Sequence, residues 1–174
     1  MLILVSGGAA SGKSEYAESL IVRAGHEKRT YIATMEIFDA EGARRAARHR
    51  TMRAGKGFTT LECPRGLMEA ALPAGGSALL ECMSNLVANE MFGGAGEQGL
   101  TERVCLGVQR LAAQMELTVI VTNELFSDGI RYAPETERYL AALSALNNAL
   151  AAQADAVVEV VCGIPIYWKG KELL

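Results

Sequence analysis

Short apolar runs alternate along this chain with stretches in which apolar residues recur every three or four positions. Leu2 to Val5 is a continuous apolar run that ends in Ser-Gly-Gly and reads as a fully buried strand. From Lys13 to about Arg23, Tyr16, Ala17, Leu20 and Ile21 recur at helical spacing. Thr30 to Ala33 predicts a second strand, Glu41 to Arg53 a helix rich in Ala and Arg, and Phe58 to Leu61 a short strand. Ser77 to Leu80 is another buried strand, and it ends at an acid, Glu81. Gly93 to Gly96 reads as a loop, followed by a helix from Leu100 to Met115. Leu117 to Thr122 is the cleanest strand. Pro134 opens a long helix to about Gln153, with proline near the first turn where its missing N–H costs nothing. Ala156 to Val161 and Ile166 to Lys169 are the last strands, joined by Cys162-Gly163-Ile164-Pro165.

Strands that read as apolar throughout and alternate with helices imply a mostly parallel sheet covered on both faces. The short final connection makes the last strand antiparallel, at an edge. The expectation is therefore an α/β fold of three layers. A length of 174 residues fits one domain spanning residues 1–174.

Composition adjusts this picture only slightly. Half of the residues are apolar, enough for a sizeable core, and the formal charge of −3 creates no field that would attract nucleic acid. Cys63, Cys82, Cys105 and Cys162 form no CxxC pair, which argues against a zinc site and suits buried thiols in a reducing compartment. The opening Met1 to Ser6 run is short and lacks a basic leader, and no apolar run approaches the ~20 residues of a membrane span. A soluble, cytoplasmic protein is expected, with no membrane span and no nucleic-acid partner.

The chemistry begins at Gly7-Gly8-Ala9-Ala10-Ser11-Gly12-Lys13-Ser14, which fits G-x-x-x-x-G-K-[ST] with a strand before it and a helix after it. Such a loop turns successive N–H groups toward phosphate oxygens, and the helix N-terminus adds its dipole. Lys13 would reach the β- and γ-phosphates, and the Ser14 hydroxyl would ligate Mg²⁺. Glu81, at the end of a buried strand, is the natural second acid near the metal, although Asp is usual there. Otherwise it is a strand-end acid facing solvent.

Of the two histidines, His26 sits in the polar turn Gly-His-Glu-Lys-Arg and reads as a solvated surface residue. His49 lies among Arg44, Arg45, Arg48, Arg50, Arg53 and Lys56, and on a helix Arg45 and Arg53 share its face. That face could hold a triphosphate, and a neutral imidazole can attack phosphorus. From periodicity alone, a solvated basic helix with an incidental histidine is the favoured reading, because charge runs are usually solvated faces.

These residues together resemble the adenosylcobinamide kinase / adenosylcobinamide-phosphate guanylyltransferase family, nearly end to end. The P-loop with Glu15-Tyr16-Ala17-Glu18 is similar to the family's opening, and Tyr31-Ile32-Ala33-Thr34 with Asp39 and Glu41 to its YIAT…D-x-E. His49-x-x-x-Arg53 follows, with Thr60 and Glu62, then Leu79-Leu80-Glu81-Cys82, Thr122-Asn123-Glu124, Asn147, Ala154-Asp155 and Gly163-Ile164-Pro165. The resemblance implies a RecA-like P-loop NTPase fold and a homotrimer. It implies phosphorylation of adenosylcobinamide with ATP or GTP, then transfer of GMP from GTP through a GMP–His49 intermediate to adenosylcobinamide phosphate, giving adenosyl-GDP-cobinamide. Beyond the P-loop residues, nucleotide contacts are implied at Ala33, Thr34, Met35, Arg50, Thr51, Met52, Arg53, Glu62 and Glu81. The sequence departs from the family at Ala10, where Arg is usual. It also departs at Met83 to Leu86, a shortened stretch, and at Leu140-Ala141, where the family carries Arg-Asp. Those departures keep two other readings in view: another small-molecule P-loop kinase, or a non-catalytic nucleotide-binding relative.

Overall fold

The computed structural model describes residues 1–171, except Phe38, Gly94, Ala95 and Asp128 and the side chain of Arg45. Part of the expected loop at Gly93 to Gly96 therefore lies outside the described residues. The elements run β1 (Leu2–Ser6), α1 (Lys13–Arg23), β2 (Arg29–Ala33), α2 (Ala40–Arg53), β3 (Phe58–Glu62), β4 (Ser77–Glu81) and α3 (Met83–Phe92). They continue with α4 (Leu100–Gln114), β5 (Leu117–Val121), α5 (Pro134–Gln153), β6 (Ala156–Val161) and β7 (Ile164–Lys169). The expected elements are present within about two residues at their ends, as ladders and caps define them.

Among the described residues the strands form one sheet of seven in the order β3-β2-β4-β5-β1-β6-β7. All neighbours are parallel except β6 and β7, which pair antiparallel around the Cys162-Gly163 turn. Alternation along each strand divides the core in two. Ile3, Val5, Tyr31, Leu79, Val119 and Val121 face the side covered by α1. Leu4, Ile32, Leu80 and Ile120 face the opposite side, against α3, α4 and α5. This is the three-layer, mostly parallel α/β arrangement the pattern predicts.

One helix escaped the pattern reading. Residues Met83 to Phe92 form α3, whose Met83, Leu86, Val87 and Met91 are buried at spacings of three and four. The stretch Met83 to Leu86, where the sequence departs from the family, forms the start of this helix. α2 is its opposite. It is capped by Asp39, whose carboxylate accepts from the Gly42 N–H at 2.7 Å. Along its length only Arg53 is buried among the described side chains. Nothing apolar holds this helix as α3 is held; side chains at and just beyond its C-terminal end pin it.

Candidate active site

The C-terminal ends of β1, β2 and β4 open into a cleft of about 620 Å³. The P-loop forms its floor. Gly12 stands before α1 at φ 93, a left-handed conformation, and a Cβ there would come within 3.2 Å of Gly163 Cα. No side chain caps α1. Its first-turn N–H groups are thus left to a ligand, the arrangement that binds phosphate. The loop is braced from two sides: Gly163 N donates to Ser11 O at 2.8 Å, and Glu124 N donates to Gly7 O at 3.0 Å. The Thr122 hydroxyl in turn bonds Asn147 Oδ1 at 2.9 Å, and Asp155 Oδ2 accepts from Leu2 N at 2.7 Å. The C-terminal landmarks of the sequence thus serve as scaffolding for the strands and loop that bear the site.

Lys13 is largely buried and folds back to donate to Gly8 O at 2.9 Å. Burial pushes its ammonium pKa down, with Cys82 and Glu81 pulling the other way. Glu81 is the hub. It is only 8 % exposed, so it is not a solvated strand-end acid. Its Oε1 accepts the Ser14 hydroxyl, its Oε2 accepts Tyr31 Oη–H at 3.1 Å, and His49 Nδ1 lies 3.5 Å from Oε1. His49 Nδ1 is buried and has no hydrogen-bond partner among the described residues. At 3.5 Å its approach to Glu81 is an electrostatic contact rather than a full hydrogen bond. α2 therefore delivers the histidine to the carboxylate beside the P-loop.

Arg53 is 7 % exposed and lies with Cζ 3.3 Å from the centroid of the Tyr31 ring, a cation–π contact. Its Nη1 is buried without a hydrogen-bond partner among the described residues. A buried guanidinium with an unmet donor has the chemistry to receive an anion. Beyond α2, Lys56 Nζ pairs at 2.5 Å with Oε2 of the fully buried Glu18. That tether draws the α2 end onto α1.

The structure brings most of the expected residues together. Ala9, Ala10, Ser11, Gly12, Lys13 and Ser14 line the cleft from below, and Ala33, Met35, Glu62 and Glu81 from the strand ends. His49, Arg50, Met52 and Arg53 close it from α2. Gly7, Gly8, Thr34 and Thr51 do not line it. Thr34 is fully buried and donates to Cys82 O at 2.7 Å, and Thr51 donates to Ala47 O at 3.1 Å on an exposed face. Tyr31 and Asn123 line the cleft but were not singled out as ligands from sequence. Tyr31 reads there as one more apolar strand residue; its place in the YIAT stretch was the available signal. Leu140 and Ala141, on α5, lie outside the cleft lining. Cys162 is exposed, contrary to the expectation of buried thiols, because the β6–β7 turn projects it outward.

The family model described as "Cobinamide kinase / cobinamide phosphate guanyltransferase" matches residues 3–167. The chain belongs to this family. It is 36% identical to the bifunctional adenosylcobalamin biosynthesis protein CobU of Salmonella typhimurium over 184 residues, covering 95% of this chain and 98% of that one. It is 31% identical to the bifunctional adenosylcobalamin biosynthesis protein CobP of Pseudomonas aeruginosa over 173 residues, 98% of each. The chain is accordingly a transferase of the cobalamin-biosynthesis family. Among solved structures, the flagellar accessory protein FlaH of Methanocaldococcus jannaschii superposes with a TM-score of 0.50 at 11% identity, covering 98% of this chain and 78% of that one. A type III secretion ATPase superposes with a TM-score of 0.54 at 11% identity, covering 91% and 50%. Likeness at that identity shows the fold alone, a RecA-like P-loop NTPase.

Proposed function

We propose that this chain is a bifunctional enzyme that phosphorylates adenosylcobinamide and then transfers GMP from GTP, through a GMP–His49 intermediate, to adenosylcobinamide phosphate. The observation that carries this reading is a histidine set in a phosphate-binding cleft with one ring nitrogen turned to a buried carboxylate. Family membership supplies the substrates.

In the first half of guanylyl transfer, His49 Nε2 attacks the α-phosphorus of GTP. The N–P bond forms, the P–O bond to pyrophosphate breaks, and the ring is left protonated until its proton is released. In the second half, a phosphate oxygen of adenosylcobinamide phosphate attacks the same phosphorus, the N–P bond breaks, and adenosyl-GDP-cobinamide leaves. Arg53, with an unmet donor beside the cleft, would stabilise the charge on the phosphates. The kinase step uses the same loop, with Lys13 on the β- and γ-phosphates, and takes ATP or GTP.

The residues present fit Mg²⁺. Ser14 Oγ and Glu81 Oε1 are hard oxygen donors already in contact. Among the described residues no group of three or more His, Cys, Asp or Glu could hold a metal alone. A site that leaves most positions to phosphate and water is what Mg²⁺ prefers. Bound there, the ion would neutralise phosphate charge. A homotrimer working in the cytoplasm completes the proposal, and no described helix is long and apolar enough to cross a membrane.

The test is incubation with GTP labelled at the α-phosphate. Label that is stable to alkali, labile to acid and absent from His49→Ala is expected. No covalent label on the wild-type chain would sink the guanylyl half.

A further inference from the structure

The reading of His49 as the guanylyl acceptor leaves one question that the cleft itself answers: what aims the imidazole. An imidazole attacks through one nitrogen only if the other carries the proton, and the partner of that second nitrogen selects the tautomer. In this chain the group facing His49 Nδ1 is Glu81 Oε1 at 3.5 Å, and no hydrogen-bond partner among the described residues competes for that nitrogen.

Glu81 Oε1 accepts the Ser14 hydroxyl and faces His49 Nδ1 from that position, while the other oxygen is fixed separately. A free carboxylate swings broadly about its last torsion. Here Oε2 is held by the Tyr31 hydroxyl at 3.1 Å, in a fully buried hydrogen bond. Tyr31 is itself locked. Its ring lies edge-to-face with Phe58, centroids 6.4 Å apart at 85°, and the Arg53 guanidinium covers its face at 3.3 Å. Its place on β2 sets the reach: Ala33 pairs with Glu81 and Tyr31 with Leu79, so Tyr31 stands one same-face step below the carboxylate. The phenol hydroxyl is a donor and the carboxylate an acceptor, so the bond runs from Tyr31 to Glu81 Oε2.

We propose that Tyr31 is a positioning residue for guanylyl transfer: by fixing Glu81 Oε2 it points Oε1 at His49 Nδ1–H and leaves Nε2 free to attack. The proposal rests on the function proposed above and deepens it. The competing account is plain. Tyr31 is a buried strand residue whose hydroxyl has found an acceptor, with no consequence for the histidine.

Tyr31→Phe separates the two. It deletes one oxygen and keeps the ring between Phe58 and Arg53. Single-turnover loading of His49 from labelled GTP should slow by about 10- to 100-fold in Tyr31→Phe, the usual effect of removing a group that orients a ligand or nucleophile. The GTP concentration at half-maximal rate should stay within about twofold, because the phosphate contacts are untouched. The second readout needs no turnover. In ¹⁵N spectra of the nucleotide-free chain, with His49 assigned by comparison with His49→Ala, the wild type should show one tautomer protonated at Nδ1, and Tyr31→Phe a mixture. Tyr31→Leu, which also removes the ring beneath Arg53, should in addition raise the GTP requirement.

Wild-type loading and an unchanged tautomer in Tyr31→Phe would overturn the proposal. So would a slower rate arising only from weaker GTP binding or lost stability. A wild-type chain that never labels removes both this proposal and the function it rests on. Normal wild-type labelling with an indifferent Tyr31→Phe removes this proposal alone.

Discussion

The two histidines sit at opposite ends of the same sheet, and their surroundings differ. At the N-terminal end, His26 has both ring nitrogens engaged: Nδ1 lies 2.5 Å from Ser77 Oγ and Nε2 3.3 Å from Glu116 Oε2. It is not the solvated turn residue that its polar neighbours imply. Glu116 also accepts from Gly76 N, and its backbone carbonyl holds the Met1 ammonium at 3.0 Å, so this end is knitted shut. Serine, histidine and glutamate in a row invite comparison with a nucleophilic triad. Ser77 is fully buried at the start of β4, where no substrate reaches it. At the C-terminal end, His49 Nδ1 and Arg53 Nη1 are buried without hydrogen-bond partners among the described residues. Unmet groups beside a cleft are open to a ligand, whereas Glu18 Oε1 and Thr118 Oγ1, also unmet, lie outside the cleft lining.

That contrast can be broken most decisively at the histidines themselves. His49→Ala should lower covalent labelling from GTP by at least about a thousandfold, the scale of losing a nucleophile. His26→Ala should stay within about twofold in the same assay. Next in size is Glu81→Gln, which keeps the shape but removes the charge that faces both Ser14 and His49. Loading and kinase rates should each fall by about 10- to 100-fold, measured at saturating nucleotide.

The closed end should answer in stability instead. At Gly76, φ is 75 and a Cβ would lie 2.2 Å from the Lys28 carbonyl oxygen. Gly76→Ala should cost about 2–3 kcal/mol in urea unfolding, from positive-φ strain and the backbone clash. Rates below the unfolding transition should be unchanged. The smallest effect is expected of His26→Ala, about 1 kcal/mol, the net worth of a typical hydrogen bond. Equal losses of activity at the two ends would erase the distinction.

Much of this was legible in sequence, and for identifiable reasons. Buried parallel strands such as β1, β4 and β5 are apolar on both faces, so they stand out from the helices without any knowledge of their partners. The P-loop is legible because fixed spacing alone encodes its geometry. α3 carries little signal of its own, because its burial pattern starts immediately after Glu81 and Cys82 with no side-chain cap to mark the helix start. Tyr31 was missed for another reason. In β2 it is one buried residue among several, and only pairing with β4 places its hydroxyl under Glu81. The meaning of His26 was equally hidden, since Ser77 and Glu116 are far from it along the chain. Sequence marks residues that carry their own signal; it does not show which partners a distant strand will bring.

One consequence of the antiparallel edge is optical. The chain contains a single tryptophan, Trp168, on β7, and it is 70% exposed with its indole N–H on Glu159 Oε2 at 2.9 Å. It does not line the nucleotide cleft. The intrinsic emission of this protein should therefore be that of a water-exposed indole, silent when nucleotide fills the cleft. A blue shift would report that something has covered the far edge of the sheet.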